Sequence, residues 1–563
     1  MLIKLKKIMT KNQSLIVSDF NNDYLINYLR SNKELKKNSF GSLNFENFLS
    51  SINELNQVKK CGDIFIITQI SKVFDIEKIL LKNNELFTKK EINKVTSEIE
   101  NIVLNLSSKI KKISFFLWPS DINDNYLNDL NFKKPGKNWL VNLINLETSK
   151  KLSKFQNVSL IDPNFKLLKN NHKINIYDEK TKYLVGNHYS LDYLEFCAEE
   201  IANSIHSKEI KKIKLIILDL DNTLWGGEAG ERNINELDLG PNSIKGTVFH
   251  NFQKRLKILK NLGYVLAICS KNDFKNVKKV FKENKNMILS VKDFSSIKVN
   301  WKNKNENIRE ILSELNLRAE NTLFVDDNEY ERNIVKSDLK EINIFDFPKN
   351  ILLLNKNFNN LKNISKNTVS ETDKKRTKLY LDEQKRDKLK RKYFNHKDWL
   401  SSLKINIKIE ELKNFKRAEE MYLRTNQFNI SHKPISSEMI KALIKSKEKI
   451  FYEVSMSDRF GNYGVIALIG IRNNINSFEV TDFLESCRVF KRNVEDYLIK
   501  YILNNKRFKN KDGLIYINRN KKNMYVQDLF DKSNYLKKIN KKTYKILKEY
   551  KFTELNGTKV RIN

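Results

Sequence analysis

The chain has 563 residues, too many for one hydrophobic core and enough for about three or four domains. Lys+Arg 104 against Asp+Glu 68 gives a formal charge of +36, yet 40% hydrophobic and 10% aromatic residues exclude general disorder, and 15 Gly with 6 Pro exclude a collagen-like or proline-rich chain. The basic residues are scattered rather than striped beside aromatics, and the excess of Lys, Asn and Ile matches the usage of an AT-rich genome, so a nucleic-acid surface is not expected.

The segment from Met1 to Met9 lacks the apolar core of a signal peptide, and no stretch reaches about 18 consecutive apolar residues. Neither secretion nor a membrane span is expected. Cys61, Cys197, Cys269 and Cys487 lie far apart, without a CxxC pair or zinc-type histidine spacing. A disulfide scaffold is excluded, and free thiols fit a reducing cytoplasm, the expected location.

Along the chain, residues 1–205 alternate β-branched runs (Leu15–Val17, Ile64–Thr68, Ile113–Trp118, Val158–Ile161) with helical stretches. One stretch carries Val95, Ile99, Ile102, Val103, Leu106 and Ile110, the stripe of an amphipathic helix. A second α/β unit, 206–350, shows strands at Lys214–Leu218, Tyr264–Cys269, Thr322–Val325 and Ile342–Phe345. Residues 351–399 read as a charged, solvated helical linker, densest from Asp373 onward. The third unit, 400–563, has another order: strand Ile405–Ile409, two helices, strands Phe451–Val454, Gly464–Ile471 and Phe478–Leu484, a helix over 493–505, strand Leu514–Ile517 and a last helix. Ser457-Asp-Arg-Phe-Gly-Asn-Tyr-Gly reads as a hairpin turn. The fold class is therefore a multidomain α/β protein with a mixed α+β C-terminal unit.

The chemistry concentrates in the middle. A buried strand ends in Asp219-Leu-Asp221-Asn-Thr223-Leu-Trp-Gly-Gly, where open α/β sheets gather ligands. Alternation predicts Asp219 and Asp221 on one side, where two carboxylates repel unless a cation lies between them. Downstream follow Ile268-Cys-Ser270-Lys-Asn, Trp301-Lys-Asn-Lys304 and Leu323-Phe-Val-Asp326-Asp327. Lys302 competes with Lys304 as the functional lysine, and Trp225 reads as a loop-packing residue. The short gaps after Thr223 and between Ser270 and Lys304 leave no room for a folded cap domain, which suits a large substrate or one covered by flanking domains.

These four ordered motifs resemble the haloacid dehalogenase (HAD) superfamily of phosphoryl-transfer enzymes. The resemblance implies Asp219 as nucleophile and Asp221 as general acid/base. It implies Thr223 and Ser270 as phosphoryl-oxygen ligands, and Lys304 as the cation beside both Asp219 and the phosphate. Asp219, Asp326, Asp327 and the backbone carbonyl of Asp221 would hold Mg²⁺. The blocks D-L-D-N-T-L-W-G-G-x-x-G-E, C-S-K-N-D, W-x-x-K-x-x-N-I, V-D-D-N-x-x-E-R, T-N-Q-F-N, S-D-R-F-G-N-Y-G and S-C-R-V resemble the FkbH-like branch. That branch combines a degenerate SGNH-hydrolase-like region, a HAD domain and a GNAT-like acyltransferase fold. It implies that a phosphorylated three-carbon acid, glyceryl from 1,3-bisphosphoglycerate, passes to the phosphopantetheine thiol of an acyl carrier protein.

Cys269, beside Ser270, is the expected acyl acceptor, with small-residue packing as its alternative, and Cys487 is the second thiol. Arg488-Val-Phe-Lys491-Arg492-Asn493 departs from the GNAT pattern, with side chains where two glycines belong, so pyrophosphate binding of the usual kind is not expected. Lys491 and Arg492 could instead meet a carrier-protein phosphate or acidic surface, or the unit could be structural. Ser18, Asp19 and His188 resemble an SGNH hydrolase faintly, without the glycine before the nucleophile, and esterase activity is not expected. The alternatives are a phosphomonoesterase, an acyltransferase working through the third unit on a scaffolding HAD domain and, outside enzymes, a basic nucleic-acid binder.

Overall fold

The computed structural model describes residues 13–562 except 33, 34, 36, 37, 57, 59–61, 83, 108, 111, 121–135, 156, 170–173, 207–211, 362, 365–375, 434 and 549–558. Cys61, the segment from Met1 to Met9 and residues 373–375 of the charge run lie outside the described residues. Among the described residues, no helix is long and apolar enough to cross a membrane.

The first sheet contains β1 (Gln13–Ser18), β2 (Ser39–Asn44), β3 (Asp63–Ile67), β4 (Lys112–Phe116) and β5 (Val158–Ile161), all parallel, in the order β2-β1-β3-β4-β5. Strand alternation loads both faces. Ile16, Phe65 and Phe116 pack on helices Asp23–Ser31 and Leu191–His206, while Leu15, Val17, Ile64 and Ile66 pack on Glu85–Ser107 and Lys137–Leu152.

The second sheet is also fully parallel: β6 (Leu215–Leu218), β7 (Val265–Ser270), β8 (Phe294–Val299), β9 (Thr322–Val325) and β10 (Asn343–Ile344), ordered β10-β9-β6-β7-β8. The chain leaves β6 toward β7 and later returns to its other side with β9, so the strand order reverses at β6. The crevice at a carboxyl end where the order reverses is where such sheets bind ligands.

The third sheet is mixed: β11 (Asn406–Glu411), β12 (Ile450–Asp458), β13 (Gly461–Asn473), β14 (Ser477–Glu485), β15 (Asp512–Tyr516), β16 (Leu536–Asn540), β17 (Thr543–Ile546) and β18 (Lys559–Ile562), ordered β16-β17-β15-β14-β13-β12-β11-β18. β14 and β15 run parallel only over Ser477–Val480 and Asp512–Ile515, then diverge. The T-N-Q-F-N segment fills the gap: Glu485 N donates to Phe428 O at 3.0 Å, Ile430 N to Phe483 O at 3.2 Å and Asn518 N to Ile430 O at 2.8 Å.

Five strands escape the sequence reading (β2, β8, β16, β17 and β18), and all but β17 are sheet edges. An edge strand buries less and carries polar residues that break the apolar alternation, as in S-F-G-S-L-N and L-K-K-I-N.

The linker reading needs correction. Leu354 and Phe358 belong to the core of the second unit. Helix Arg376–Lys390 is solvated on one face only: Lys378, Lys385, Asp387, Lys388 and Lys390 are exposed, but Thr377, Asp382 and Arg386 are buried. Its Gln384 Nε2 donates to Ser295 O of the second unit at 2.6 Å. From the same helix, Arg386 forms a bidentate pair with Asp458 (2.6 and 2.9 Å) and lies 4.2 Å from the Tyr463 ring centroid. The charged helix therefore clamps the 457–464 hairpin, and that motif's Asp and Tyr are its receptors.

Candidate active site

β6 ends at Leu218, and Asp219 keeps its N–H on Val325 O of β9 at 3.0 Å. The chain then turns through Asn222 at φ +53, a conformation asparagine tolerates better than most residues. Asn222 Oδ1 accepts the Gly227 N–H at 2.9 Å, closing the loop.

Lys304 opens helix Lys304–Leu315 and is 3% exposed. Its ammonium donates to Asp219 Oδ2 at 2.9 Å and to Asp326 Oδ2 at 2.6 Å, bridging β6 and β9. Burial works against that charge, but Asp219 and Asp326 outweigh it and hold the lysine protonated. Lys302 is exposed and faces Glu310 at 3.5 Å, so of the two lysines it is Lys304 that meets Asp219 and Asp326.

One carboxylate oxygen from each of Asp219, Asp326 and Asp327 lies within 4.8 Å of the others. Burial, then the Asp219 charge, raises both Asp326 and Asp327 above the ordinary carboxylate range. Three carboxylates and one ammonium sum to a formal −2 (−3 + 1). Asp219 Oδ1 is buried with no hydrogen-bond partner among the described residues. A buried, unpartnered carboxylate oxygen within an excess of negative charge fits a hard divalent cation bound through oxygen.

Asp221 departs from the expected geometry. With the strand ended and the chain turned at Asn222, alternation no longer governs, and its carboxylate stands outside that cluster. Oδ1 accepts from Trp225 Nε1 (2.8 Å) and Ala229 N (3.0 Å), and Oδ2 from Asn272 Nδ2 (2.5 Å). Burial raises it above the usual range despite these donors. A carboxyl with raised proton affinity, held by three donors, suits general acid work. Trp225 is fully buried, as the loop-packing reading expects, but it also orients Asp221, a role the sequence reading missed. Asn272 and Arg332 were missed as well; Arg332 Nη1 donates to Asp326 O (2.8 Å) and Asp327 O (2.7 Å) and so holds the metal-side loop. Both residues lie inside the quoted motifs, which was the signal available.

Thr223 Oγ1 donates to Asp327 Oδ1 and accepts from Asp327 N, both at 3.1 Å. Its hydroxyl therefore ties the β6 loop to the β9 loop rather than standing free for a phosphoryl oxygen. Ser270 is buried at the carboxyl end of β7, the strand beside β6. Cys269 is a correction: strand alternation turns it into the core with Ile308 and Ile311, it is 0% exposed, and burial pushes its thiol well up. A buried thiol of raised pKa is a poor nucleophile. Cys487 opens the short turn Cys487–Val489 and is exposed.

In the third unit, Lys491 and Asn493 hold φ +63 and +55, so the loop keeps the left-handed backbone that glycines would supply, at a cost of about 1–2 kcal/mol for the lysine. Arg492 is buried and committed to Glu383 Oε1 (2.7 Å) and to Arg488 O, leaving Lys491 as the loop's exposed cation. In the first unit, Ser18 Oγ donates to Phe20 O (2.7 Å), and His188 reaches Gln69 through its backbone N–H (2.6 Å). No Ser18–His188 hydrogen bond joins them among the described residues.

The N-terminal part of a Bacteroides fragilis protein containing a phosphatase domain, complexed with Mg, is similar at 21% identity over 65% of this chain and 98% of that one, with a TM-score of 0.47. A HAD family enzyme from Bacteroides thetaiotaomicron, a magnesium complex, is similar at 16% identity over 24% of this chain and 92% of that one, with a TM-score of 0.17. An acetylxylan esterase from Geobacillus stearothermophilus is similar at 12% identity over 35% of this chain and 96% of that one, with a TM-score of 0.25. No curated protein matches the chain. Residues 227–331, which carry β7, β8 and β9, match the family of haloacid dehalogenase-like hydrolases, so this part of the second unit is haloacid dehalogenase-like.

Proposed function

We propose that the chain is a Mg²⁺-dependent phosphatase whose nucleophile is Asp219. The observation that carries this is Lys304 bridging Asp219 and Asp326 inside a three-carboxylate cluster with an unpartnered Asp219 oxygen. Asp219, Asp326, Asp327 and the Asp221 carbonyl would hold the Mg²⁺, which when bound neutralises nucleophile and phosphate alike. Asp219 attacks phosphorus, Lys304 offsets charge on the phosphoryl oxygens with Ser270 beside them, and Thr223 fixes Asp327. Asp221 gives its proton to the leaving oxygen, then takes one from the water that opens the aspartyl phosphate. The test is phosphate release from p-nitrophenyl phosphate by the full chain with MgCl₂. Release that stops with EDTA, returns with Mg²⁺ and is absent in Asp219→Asn supports the reading; equal release by Asp219→Asn overturns it.

The finer reading is transfer of a glyceryl unit from 1,3-bisphosphoglycerate to an acyl carrier protein thiol. Its support is the set of FkbH-like blocks in the second and third units and the short gaps around the Asp219 motif, which leave no room for a folded cap domain. The thiolate attacks the acyl carbon and the acyl phosphate leaves as phosphate; the remaining phosphate ester is hydrolysed at Asp219. The burial of Cys269 removes it as a relay, so the carrier thiol attacks directly. Intact-mass analysis of a holo carrier protein, expected to gain one glyceryl unit, tests it. Phosphate release indifferent to the carrier favours the phosphomonoesterase, and acyl transfer surviving Asp219→Asn favours the third unit as the catalyst.

A further inference from the structure

Ser270, Lys271 and Asn272 tie the end of β7 to three other parts of the site. Ser270 O accepts the Asn300 N–H from the loop after β8 at 3.2 Å, and Asn272 Nδ2 donates to Asp221 Oδ2 at 2.5 Å. Between them, Lys271 Nζ reaches Glu331 Oε1 at 2.7 Å. Glu331 lies in the first turn of helix Glu329–Asp338, four residues after Asp327. β7 and β9 flank β6, so this ion pair joins elements on either side of the strand that leads into Asp219. Next-but-one strands lie about 9.5 Å apart, beyond backbone hydrogen bonding, so long side chains have to make the link.

Glu331 is 7% exposed and Lys271 half-buried. Neither side chain has another hydrogen-bond or salt-bridge partner among the described residues. Moving Lys271 away would strand a buried carboxylate, which holds the pair together more firmly than an exposed one. The Glu331 charge acts on the Cys269 thiol together with those of Asp219 and Asp326, so it stands close to the cluster. The next residue, Arg332, holds the carbonyls of Asp326 and Asp327. Two consecutive residues of one helix therefore grip the metal-side loop and the loop that carries Ser270.

We propose that Lys271 and Glu331 are positioning residues for phosphoryl transfer, a clasp that sets the distance between Ser270 and the Asp326–Asp327 loop and so holds the phosphoryl group in line with Asp219. The inference rests on the phosphatase reading and deepens it by naming what aligns its phosphate and metal sides. A misplacement of about 1 Å costs about a hundredfold in rate, so such alignment is worth building. Charge alone predicts another pattern: losing Lys271 would weaken an incoming phosphate, and losing Glu331 would strengthen it. A clasp fails when either half is removed.

Full-length Lys271→Met, Glu331→Gln and the double variant test it, with MgCl₂ present. Calorimetric titration with inorganic phosphate is expected to give a higher dissociation constant in both single variants. Each is also expected to lose about tenfold or more in kcat/KM, by the same factor on p-nitrophenyl phosphate and butyl phosphate, because Ser270 serves the phosphoryl group both share. The double variant is expected to match the weaker single variant within about twofold, as residues that act only through each other do. Tighter phosphate binding in Glu331→Gln, activity of that variant within about twofold of wild type, losses that differ between the substrates, or losses that multiply in the double variant each overturn the clasp. Glu331→Gln leaves no buried charge and decides the matter if Lys271→Met does not fold. Asp219-dependent hydrolysis leaves the phosphatase reading standing through any of these results; wild-type hydrolysis independent of Asp219 overturns both.

Discussion

Replacing Trp225 by phenylalanine removes one N–H and leaves most of the packing. The indole is fully buried and edge-on to Phe281 at 5.9 Å, and its Nε1 donates to Asp221 Oδ1 at 2.8 Å. A hydrogen bond to a charged group is worth about 1.5–3 kcal/mol. Asp221 keeps Ala229 N and Asn272 Nδ2, so the low end applies, and about 1.5 kcal/mol corresponds to roughly tenfold in rate. The loss belongs where proton donation counts. An alkyl phosphate, with a poor leaving group, is expected to lose about tenfold in kcat/KM, and p-nitrophenyl phosphate about twofold or less. Burial is the main cause raising Asp221, and Trp225 opposes it. Its removal raises the carboxyl further, so the acid stays protonated to higher pH and the basic limb of the alkyl phosphate profile moves up. Steady-state phosphate release across pH, at saturating Mg²⁺, reads both effects. Equal losses on the two substrates, or a basic limb moving down, would refute the assignment of Asp221 to the leaving oxygen.

Three further outcomes follow from the same geometry. Lys304→Met leaves two buried carboxylates without their cation and is expected to cut kcat by about a thousandfold or more, while Lys302→Met stays within about twofold; phosphate release decides. Arg386→Met breaks a buried bidentate pair and is expected to destabilise the third unit by about 3–5 kcal/mol in urea unfolding, with a cost below about 1 kcal/mol refuting the clamp. Glu485 is fully buried, both its oxygens lack hydrogen-bond partners among the described residues, and burial raises its carboxyl well above the ordinary range. A carboxyl raised in the folded state contributes stability below its unfolded pKa and loses it as pH rises through the folded value. Glu485→Gln is therefore expected to gain stability relative to the wild type on going from pH 5 to pH 8, read by urea midpoints; a constant difference would refute it.

The candidate site's elements were legible because each ends a buried strand or opens a helix: an apolar run stopping at Asp219, at Ser270 or at Asp326 is a local pattern, and local patterns survive in one dimension. So do interior strands, whose burial on both faces leaves continuous apolar runs. Edge strands such as β2 and β16 left no such trace, because a half-solvated strand needs no apolar alternation. What only the tertiary structure decided is direction. It turned Cys269 into the core with Ile308 and Ile311, and it turned Asp221 toward Trp225 and Asn272, outside the three-carboxylate cluster. It also buried Arg386 of a charged helix against Asp458, a residue 72 positions away. Side-chain direction depends on where a strand ends and which partner arrives from afar, and contacts across such distances in sequence carry no local signature. Charge composition misled for the same reason: whether a run such as Glu383-Gln-Lys-Arg386 is solvated or buried is settled by the carboxylates that reach it after folding.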